Sequence, residues 1–180
     1  IGFDDPGESV ADDKSGLVVL AGRFPHKLTG QTMTWLDRWQ REAGFTETVD
    51  WVGSFPAGMT CPRHPNWRPN QRLSETEYRT KLAAARVLIF ASEYEGFGMP
   101  PVEATLAGTC PVYSRIPATV EVMGTAGRGF DNDQYESFAQ ALESALRTPP
   151  ALVEQWKREL LGRHSWKRVA DRIVSALLTA

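Results

Sequence analysis

SEYEGFGMPPVEA, residues 92–104, joins a strand to a helix through a turn that contains two glycines. The apolar run just before it, at residues 87–91, has the length and composition of a buried strand. The prolines in the stretch favour a helix start, and Gly108 favours the end of that helix. Gly96 and Gly98 permit a sharp turn, after which the backbone N–H groups at the helix start can hold an anion. The stretch therefore predicts a ligand site at the end of a buried strand.

Two carboxylates, Glu95 and Glu103, flank this turn with seven residues between them. Carboxylates bind phosphate poorly but accept hydrogen bonds well from sugar hydroxyls. A ligand with phosphate in its middle and hydroxyls at both ends would satisfy the whole arrangement, and a sugar nucleotide has this layout. The structural alternative is a common glycine turn whose glutamates only interact with the helix dipole.

The spacing of Glu95 and Glu103, with Gly96, Phe97 and Gly98 inside it, resembles the E-x7-E signature of retaining GT-B glycosyltransferases. The resemblance is strongest to family 4, the glycosyltransferases group 1. It continues in the expected order through the segments 107–114, 121–124, 129–133 and 165–166. The resemblance implies an α/β fold with a Rossmann-like, doubly wound parallel sheet, which is the C-terminal, donor-binding half of such an enzyme.

The resemblance also implies roles for residues in the turn. Glu95 would contact the donor sugar hydroxyls, Glu103 would bind the nucleotide ribose, and the amides between them would meet the diphosphate and the sugar. The implied donor-binding residues of this segment are Glu95, Gly96, Phe97, Gly98, Met99 and Glu103. The implied reaction is a retaining, metal-independent transfer of a sugar from a nucleotide-diphosphate donor to an acceptor that the sequence does not identify.

A second match follows the apolar run at residues 17–21, where Gly22, Arg23 and Lys27 occur. These residues resemble the Gly-Arg pair and the lysine with which the family holds the donor diphosphate. Arginine supplies a bidentate fork and lysine a mobile point charge, which together suit a pyrophosphate. Lys27 stands four residues after Arg23, one fewer than in many members, and solvated loop cations are the ordinary alternative. We expect Arg23 and Lys27, together with Glu95, to act in catalysis as well as in donor binding.

The rest of the chain alternates between strand-like and helix-like patterns. Strands are predicted at residues 17–21, 49–53, 87–91 and 111–114, and helices at residues 31–43, 74–85, 100–106, 134–147 and 166–178. Such alternation indicates parallel strands with crossover helices, whose ligands bind beyond the carboxyl ends of the strands. Residues 22–27 and 95–103 should therefore open into one crevice.

Two further segments carry expectations. Residues 56–72 contain four prolines and no periodicity, which predicts a long loop that contacts an acceptor, the donor base or a partner domain, or is simply a mobile surface loop. The last predicted helix has an apolar face, which core packing within this domain explains best and which by resemblance could instead cross to an N-terminal domain. The residues of this face are Trp166, Val169, Ala170, Ile173 and Leu177.

The composition limits the partners. A net charge of -2, from 20 basic and 22 acidic residues without a basic stripe, argues against nucleic acid. No apolar run approaches the ~20 residues that a bilayer-spanning helix needs, although peripheral membrane association of a full enzyme stays possible. Cys61 and Cys110 do not make a disulfide framework, which favours the cytoplasm. Cys61 and His64 have a ligand-like spacing that nothing completes, so we expect no metal and no cofactor besides the nucleotide-sugar donor.

The domain organisation follows from the same resemblance. We expect residues 1–180 to be one nucleotide-sugar-binding domain, with an N-terminal Rossmann-like acceptor domain missing from the chain, which opens on Ile1. Such a domain should bind nucleotide weakly and transfer no sugar by itself. Two alternatives stay open: a GT-B-like sugar-nucleotide epimerase, against which the E-x7-E pattern argues, and a non-catalytic nucleotide-sugar-binding or assembly module.

Overall fold

The computed structural model describes residue 3 and residues 13–178, and in this part of the chain six strands form one sheet. The strands are β1 (Leu17–Ala21), β2 (Val49–Gly53), β3 (Trp67–Asn70), β4 (Val87–Phe90), β5 (Cys110–Ser114) and β6 (Arg128–Phe130). Their order is β3-β2-β1-β4-β5-β6, and every neighbouring pair is parallel. The chain leaves β1 toward one edge and β4 toward the other, so the crevice outside their carboxyl ends is the topological switch point. The predicted doubly wound, Rossmann-like α/β fold is confirmed.

Helices connect and cover these strands. They are α1 (Thr29–Ala43), α2 (Glu75–Ala84), α3 (Met99–Leu106), α4 (Pro117–Met123), α5 (Tyr135–Leu146), α6 (Pro150–His164) and α7 (Trp166–Leu178), and a 3₁₀ turn (Pro25–Lys27) precedes α1. Because helices cover the sheet, the central strands are buried and almost wholly apolar, as in Val19, Trp51, Ile89 and Val112. This packed centre fixes the ends of β1 and β4, from which the loops of interest begin.

The predicted helices agree with α1, α2, α3, α5 and α7 within two residues at each end. At α2 the local chemistry is visible: the Ser74 side chain accepts a hydrogen bond from the Glu77 backbone N–H, and the Glu77 side chain accepts one from the Ser74 N–H. This reciprocal capping box is a local signal and is therefore readable from sequence.

The prediction of a loop over all of residues 56–72 is wrong for its last part, where β3 pairs with β2 at the sheet edge. Pro69 concealed the strand, because proline inside a strand is tolerated only where its missing N–H faces away from the ladder, as on an edge. Trp67 holds the strand in place by packing on Trp51 with ring centroids 5.0 Å apart and by donating its indole N–H to Gln40. These contacts are distant in sequence, so no local pattern indicated them.

The sequence patterns also missed α4, β6 and α6. The first two are short, and Gly129 inside β6 weakens any strand signal. In α6 the buried residues Val153, Trp156 and Leu160 do follow helical spacing, and this periodicity could have revealed the helix.

The last helix has its predicted extent, but the predicted core packing of its apolar face is wrong. Trp166, Ile173 and Leu177 are 53%, 55% and 74% exposed. Ser165, with extended backbone (φ -67°, ψ 147°), interrupts the helix between α6 and α7. None of the helices in the described residues is long and apolar enough to cross a membrane.

Candidate functional site

The two predicted segments meet beyond the carboxyl ends of β1 and β4, which lie side by side in the sheet. The Lys27 ammonium forms an ion pair with the Glu95 carboxylate. The backbone also joins the loops, since the Glu93 N–H donates to the His26 carbonyl at 2.8 Å. The two predicted segments therefore lie against each other beyond the same edge of the sheet, as expected for residues that border one crevice.

The Lys27–Glu95 pair is partly shielded from water, with side chains 28% and 17% exposed. Lys27 also lies 5.4 Å from the centroid of the Phe90 ring, at the end of β4. A shielded pair interacts more strongly than a surface pair, because fewer water molecules screen the charges. Each group thus neutralises the other, and a diphosphate and a sugar hydroxyl are the kinds of ligand that could replace the two partners.

Gly22 makes room for Lys27. A Cβ atom at position 22 would lie 2.4 Å from the Lys27 Cγ and 2.6 Å from its Cβ. Atoms this close must move, and the Lys27 Cβ can move only with its backbone. The glycine of the predicted Gly-Arg pair therefore determines where the ammonium group sits.

The glycines of the turn leave space, whereas Phe97 packs against another ring. Gly98 has a left-handed backbone (φ +83°) at the start of α3, and a Cβ there would lie 2.9 Å from the Thr119 Cγ2. Gly96 is exposed, and a Cβ there would meet no atom within 4 Å outside the adjacent residues; Met99 is exposed as well. Phe97 instead packs against Phe3, with ring centroids 6.0 Å apart, so it can reach a donor in the crevice only through its backbone.

No side chain caps the start of α3 in the described residues. Pro100 and Pro101 have no N–H, so among the first three residues of α3 only Met99 offers a backbone donor. This N–H and the amides of the preceding turn are the groups suited to an anion. The glycines before the helix allow close approach of that anion to the backbone.

Glu103 is half-buried on α3 and faces α2, where the Tyr78 hydroxyl donates to its carboxylate at 3.4 Å. Burial raises the pKa of Glu103, and the hydrogen bond from Tyr78 opposes part of this rise. Burial and the nearby Glu103 charge in turn raise the pKa of Tyr78, which stays a hydrogen-bond donor. Glu95 instead pairs with Lys27, so the two carboxylates have different partners and a ligand that contacts both must span the turn.

Arg23 lies at the exposed rim and does not join the Lys27–Glu95 pair. Its guanidinium carbon stands 4.8 Å from the centroid of the Phe24 ring. A guanidinium stacked on a ring remains charged and retains its hydrogen-bond donors, so Arg23 is available to an incoming anion.

Three aromatic side chains at this rim were not predicted, and we call Phe24, His26 and Tyr94 the aromatic rim. The His26 ring stacks on Tyr94 at 4.3 Å and on Phe24 at 5.9 Å. Tyr94 and Phe24 are 64% and 51% exposed. The available signal was their position, because Phe24 directly follows Arg23 and Tyr94 directly precedes Glu95.

The described residues contain no group of three or more His, Cys, Asp or Glu side chains placed to hold a metal ion. Cys61 and His64, whose spacing resembles that of metal ligands, lie in the connection between β2 and β3. They line a surface cavity with prolines and Trp67 rather than the crevice.

Two relatives with similar sequences are named as mannosyltransferases. The chain is 24% identical to a GDP-mannose:cellobiosyl-diphosphopolyprenol alpha-mannosyltransferase of Xanthomonas campestris, over 81% of this chain and 46% of that protein. It is 34% identical to an MMP alpha-(1->4)-mannosyltransferase of Mycolicibacterium hassiacum, over 57% of this chain and 26% of that protein. The chain thus spans less than half the length of these relatives.

Among solved structures, the chain superposes on an alpha,alpha-trehalose-phosphate synthase (UDP-forming) from Burkholderia vietnamiensis with a TM-score of 0.74. The two are 11% identical, and the match covers 93% of this chain and 46% of the synthase. At this identity the likeness concerns the fold alone, and it confirms the Rossmann-like domain expected for one half of a GT-B glycosyltransferase.

The model of one protein family, glycosyl transferases group 1, matches residues 70–160. This range holds the Glu95–Glu103 turn, β4, α3 and β5, and so includes one side of the crevice. Because the match covers just over half of the 180 residues, this chain belongs to the glycosyl transferases group 1 family.

Proposed function

We propose that this chain is the nucleotide-sugar-binding domain of a retaining GT-B glycosyltransferase, and that a second, acceptor-binding domain completes the enzyme. The observation that carries the proposal is the meeting of Lys27 and Glu95 at the switch point of the sheet. In a doubly wound sheet this is the place where a ligand binds. A cation, a carboxylate and an uncapped helix start are combined there.

The donor would lie across the turn. Its diphosphate would contact the start of α3 and the Lys27 ammonium, and Arg23 would reach it from the rim. As the bond between sugar and diphosphate breaks, negative charge develops on the departing diphosphate, and the two cations stabilise it without a divalent ion. Glu95, released from Lys27, would accept hydrogen bonds from the sugar hydroxyls, and Glu103 would accept them from the ribose.

We propose GDP-mannose as the first donor to test, since the two relatives described above are named as mannosyltransferases and one of these two names contains GDP-mannose. The experiment is a thermal-shift comparison of this chain with GDP-mannose, UDP-glucose and ADP-glucose. A ligand that binds only the folded state adds RT ln(1 + [L]/Kd), about 2.7 kcal/mol at a hundredfold excess over Kd. We expect a rise in Tm with at least one nucleotide sugar and none with free mannose. A chain that no nucleotide stabilises would contradict the proposal.

Donor affinity should fall on mild acidification. Burial raises the pKa of Glu103, so this carboxylate takes up a proton at a higher pH than an exposed glutamate does. A protonated carboxyl accepts ribose hydroxyl hydrogens less well, so affinity is lost as the pH falls through the pKa of Glu103. Folding responds in the opposite direction, because a raised folded-state pKa means that the native state binds the proton more readily.

Calorimetry between pH 7 and pH 5 checks this expectation. A nucleotide sugar is the right ligand, because a nucleoside diphosphate has a terminal phosphate that itself titrates near pH 6. Glu103→Gln should bind weakly and remove this part of the pH dependence. An unchanged pH profile in that variant would show that another group titrates.

A further inference from the structure

The aromatic rim continues the crevice outward from Glu95. Its rings are stacked in sequence, with the Arg23 guanidinium on Phe24, Phe24 on His26, and His26 on Tyr94. Tyr94 is the last ring of this stack and the most exposed of the three aromatic side chains, at 64%. One face of its ring is covered by His26, and the stack leaves the other face to solvent.

The backbone around Tyr94 is held from both sides. The Ser92 hydroxyl donates to the Tyr94 carbonyl at 2.9 Å, and the Asn132 side-chain amide donates to the Ser92 carbonyl at 2.9 Å. The Glu93 N–H donates to the carbonyl of His26, whose ring lies under Tyr94. A ring fixed in this way loses little conformational freedom when a ligand stacks on it, which favours binding.

The chemistry of this face selects its ligand. The face of an aromatic ring is electrostatically negative and attracts polarised C–H groups. A pyranose ring has a face of C–H groups and an edge of hydroxyls, so it can stack on Tyr94 while its edge meets polar neighbours. Glu93, the residue before Tyr94, is exposed and can supply such a polar group.

Tyr94 borders the proposed donor groups without pairing with them. Glu95 pairs with Lys27, the Tyr94 ring stacks on His26, and Arg23 lies at the other end of the stack, beyond Phe24. A nucleobase can also stack on an aromatic ring. However, Glu103, the proposed ribose contact, faces α2 and Tyr78, so the base would lie on that side of the turn.

We propose that the free face of Tyr94 is an acceptor subsite, on which a pyranose ring of the acceptor stacks before it receives the donor sugar. This proposal rests on the proposed function, since it needs Glu95 to hold the donor sugar beside it. It also makes the acceptor a carbohydrate or a carbohydrate-bearing molecule.

Saturation-transfer NMR on this chain tests the subsite, with methyl β-D-glucopyranoside and methyl α-D-mannopyranoside as probes. The nucleotide sugar that raises the Tm most is added to saturation, so that the nucleotide part and the sugar part of the donor site are both occupied. We expect transfer to the ring C–H protons of at least one glycoside, and none to sorbitol, which has similar hydroxyls but no ring. Tyr94→Phe should retain the signal. Tyr94→Leu should raise the Kd for the glycoside about tenfold, the ratio that corresponds to ~1.4 kcal/mol of binding free energy.

The other possible results contradict either the proposed function or the acceptor subsite. If the unaltered chain binds no nucleotide, the proposed function fails. If nucleotide binds normally but the glycoside signal survives Tyr94→Leu, or is absent with both probes, only the acceptor subsite fails. Displacement of the glycoside by nucleotide, or a loss of nucleotide affinity in Tyr94→Leu, would assign the ring to the donor instead. The Tm and circular dichroism of each variant verify that it is folded.

Discussion

Glu103→Ala is expected to weaken the binding of a bare nucleoside diphosphate and of its nucleotide sugar alike, whereas Glu95→Ala should weaken mainly the nucleotide sugar. The reason is that the two carboxylates lie in different places: Glu103 accepts a hydrogen bond from Tyr78 on α2, and Glu95 pairs with Lys27. A hydrogen bond to a charged group is worth about 1.5–3 kcal/mol, so each loss should be roughly 10- to 150-fold in Kd. Calorimetry with the nucleoside diphosphate and with the nucleotide sugar measures the Kd of each variant.

Circular dichroism must first show that both variants are folded. Glu103→Ala removes a half-buried carboxylate whose ionised form is disfavoured by burial, so the fold itself should tolerate the change. Glu95→Ala leaves Lys27 without its ion-pair partner, and this could raise its attraction for the diphosphate. The assignment is wrong if Glu95→Ala weakens the bare diphosphate as much as Glu103→Ala does, or if neither changes binding.

Gly22→Ala is expected to reduce donor affinity about as strongly as Lys27→Met, by roughly tenfold or more, the scale of one lost charge-assisted hydrogen bond. The added methyl group would lie 2.4 Å from the Lys27 Cγ and must displace the lysine from its place beside Glu95. Isothermal titration calorimetry of each variant, with the donor that thermal shift identifies, gives the Kd values.

Gly162→Ala is the matched control for this change. A Cβ at position 162 meets no atom within 4 Å, and the residue lies inside α6. Alanine favours a helix over glycine by up to about 1 kcal/mol, so this variant should be slightly more stable and bind the donor normally. Normal donor affinity in Gly22→Ala would show that the position of Lys27 does not matter for binding.

The structure also changes how the apolar face of α7 is understood. Sequence periodicity located the helix, but Leu177 and Ile173 are largely exposed in the described chain. Periodicity shows which residues share a face, and it does not show what covers that face. The direction of α7 depends on the extended residue Ser165, a single backbone conformation that no apolar pattern encodes.

Local sequence patterns also did not predict the edge strand β3, because tertiary contacts stabilise it. Its residues include Pro69, which lowers any local preference for a strand, and the strand forms because β2 offers a free edge and Trp51 offers a packing surface. Strand pairing between segments far apart in sequence depends on the whole sheet. Local patterns therefore predicted β1, β2, β4 and β5 and missed β3.

Local sequence determined the central strands, most of the helices and the identity of the turn, because buried apolar runs, a capping box and glycines act through neighbouring residues. The Glu95–Glu103 spacing belongs to this class, and so does Gly22 before Arg23. Only the tertiary structure decided that Lys27 pairs with Glu95, because the two meet where β1 and β4 pair. It also decided that Tyr94 stacks on His26, since side chains on separate loops come together only when the sheet sets the distance between those loops.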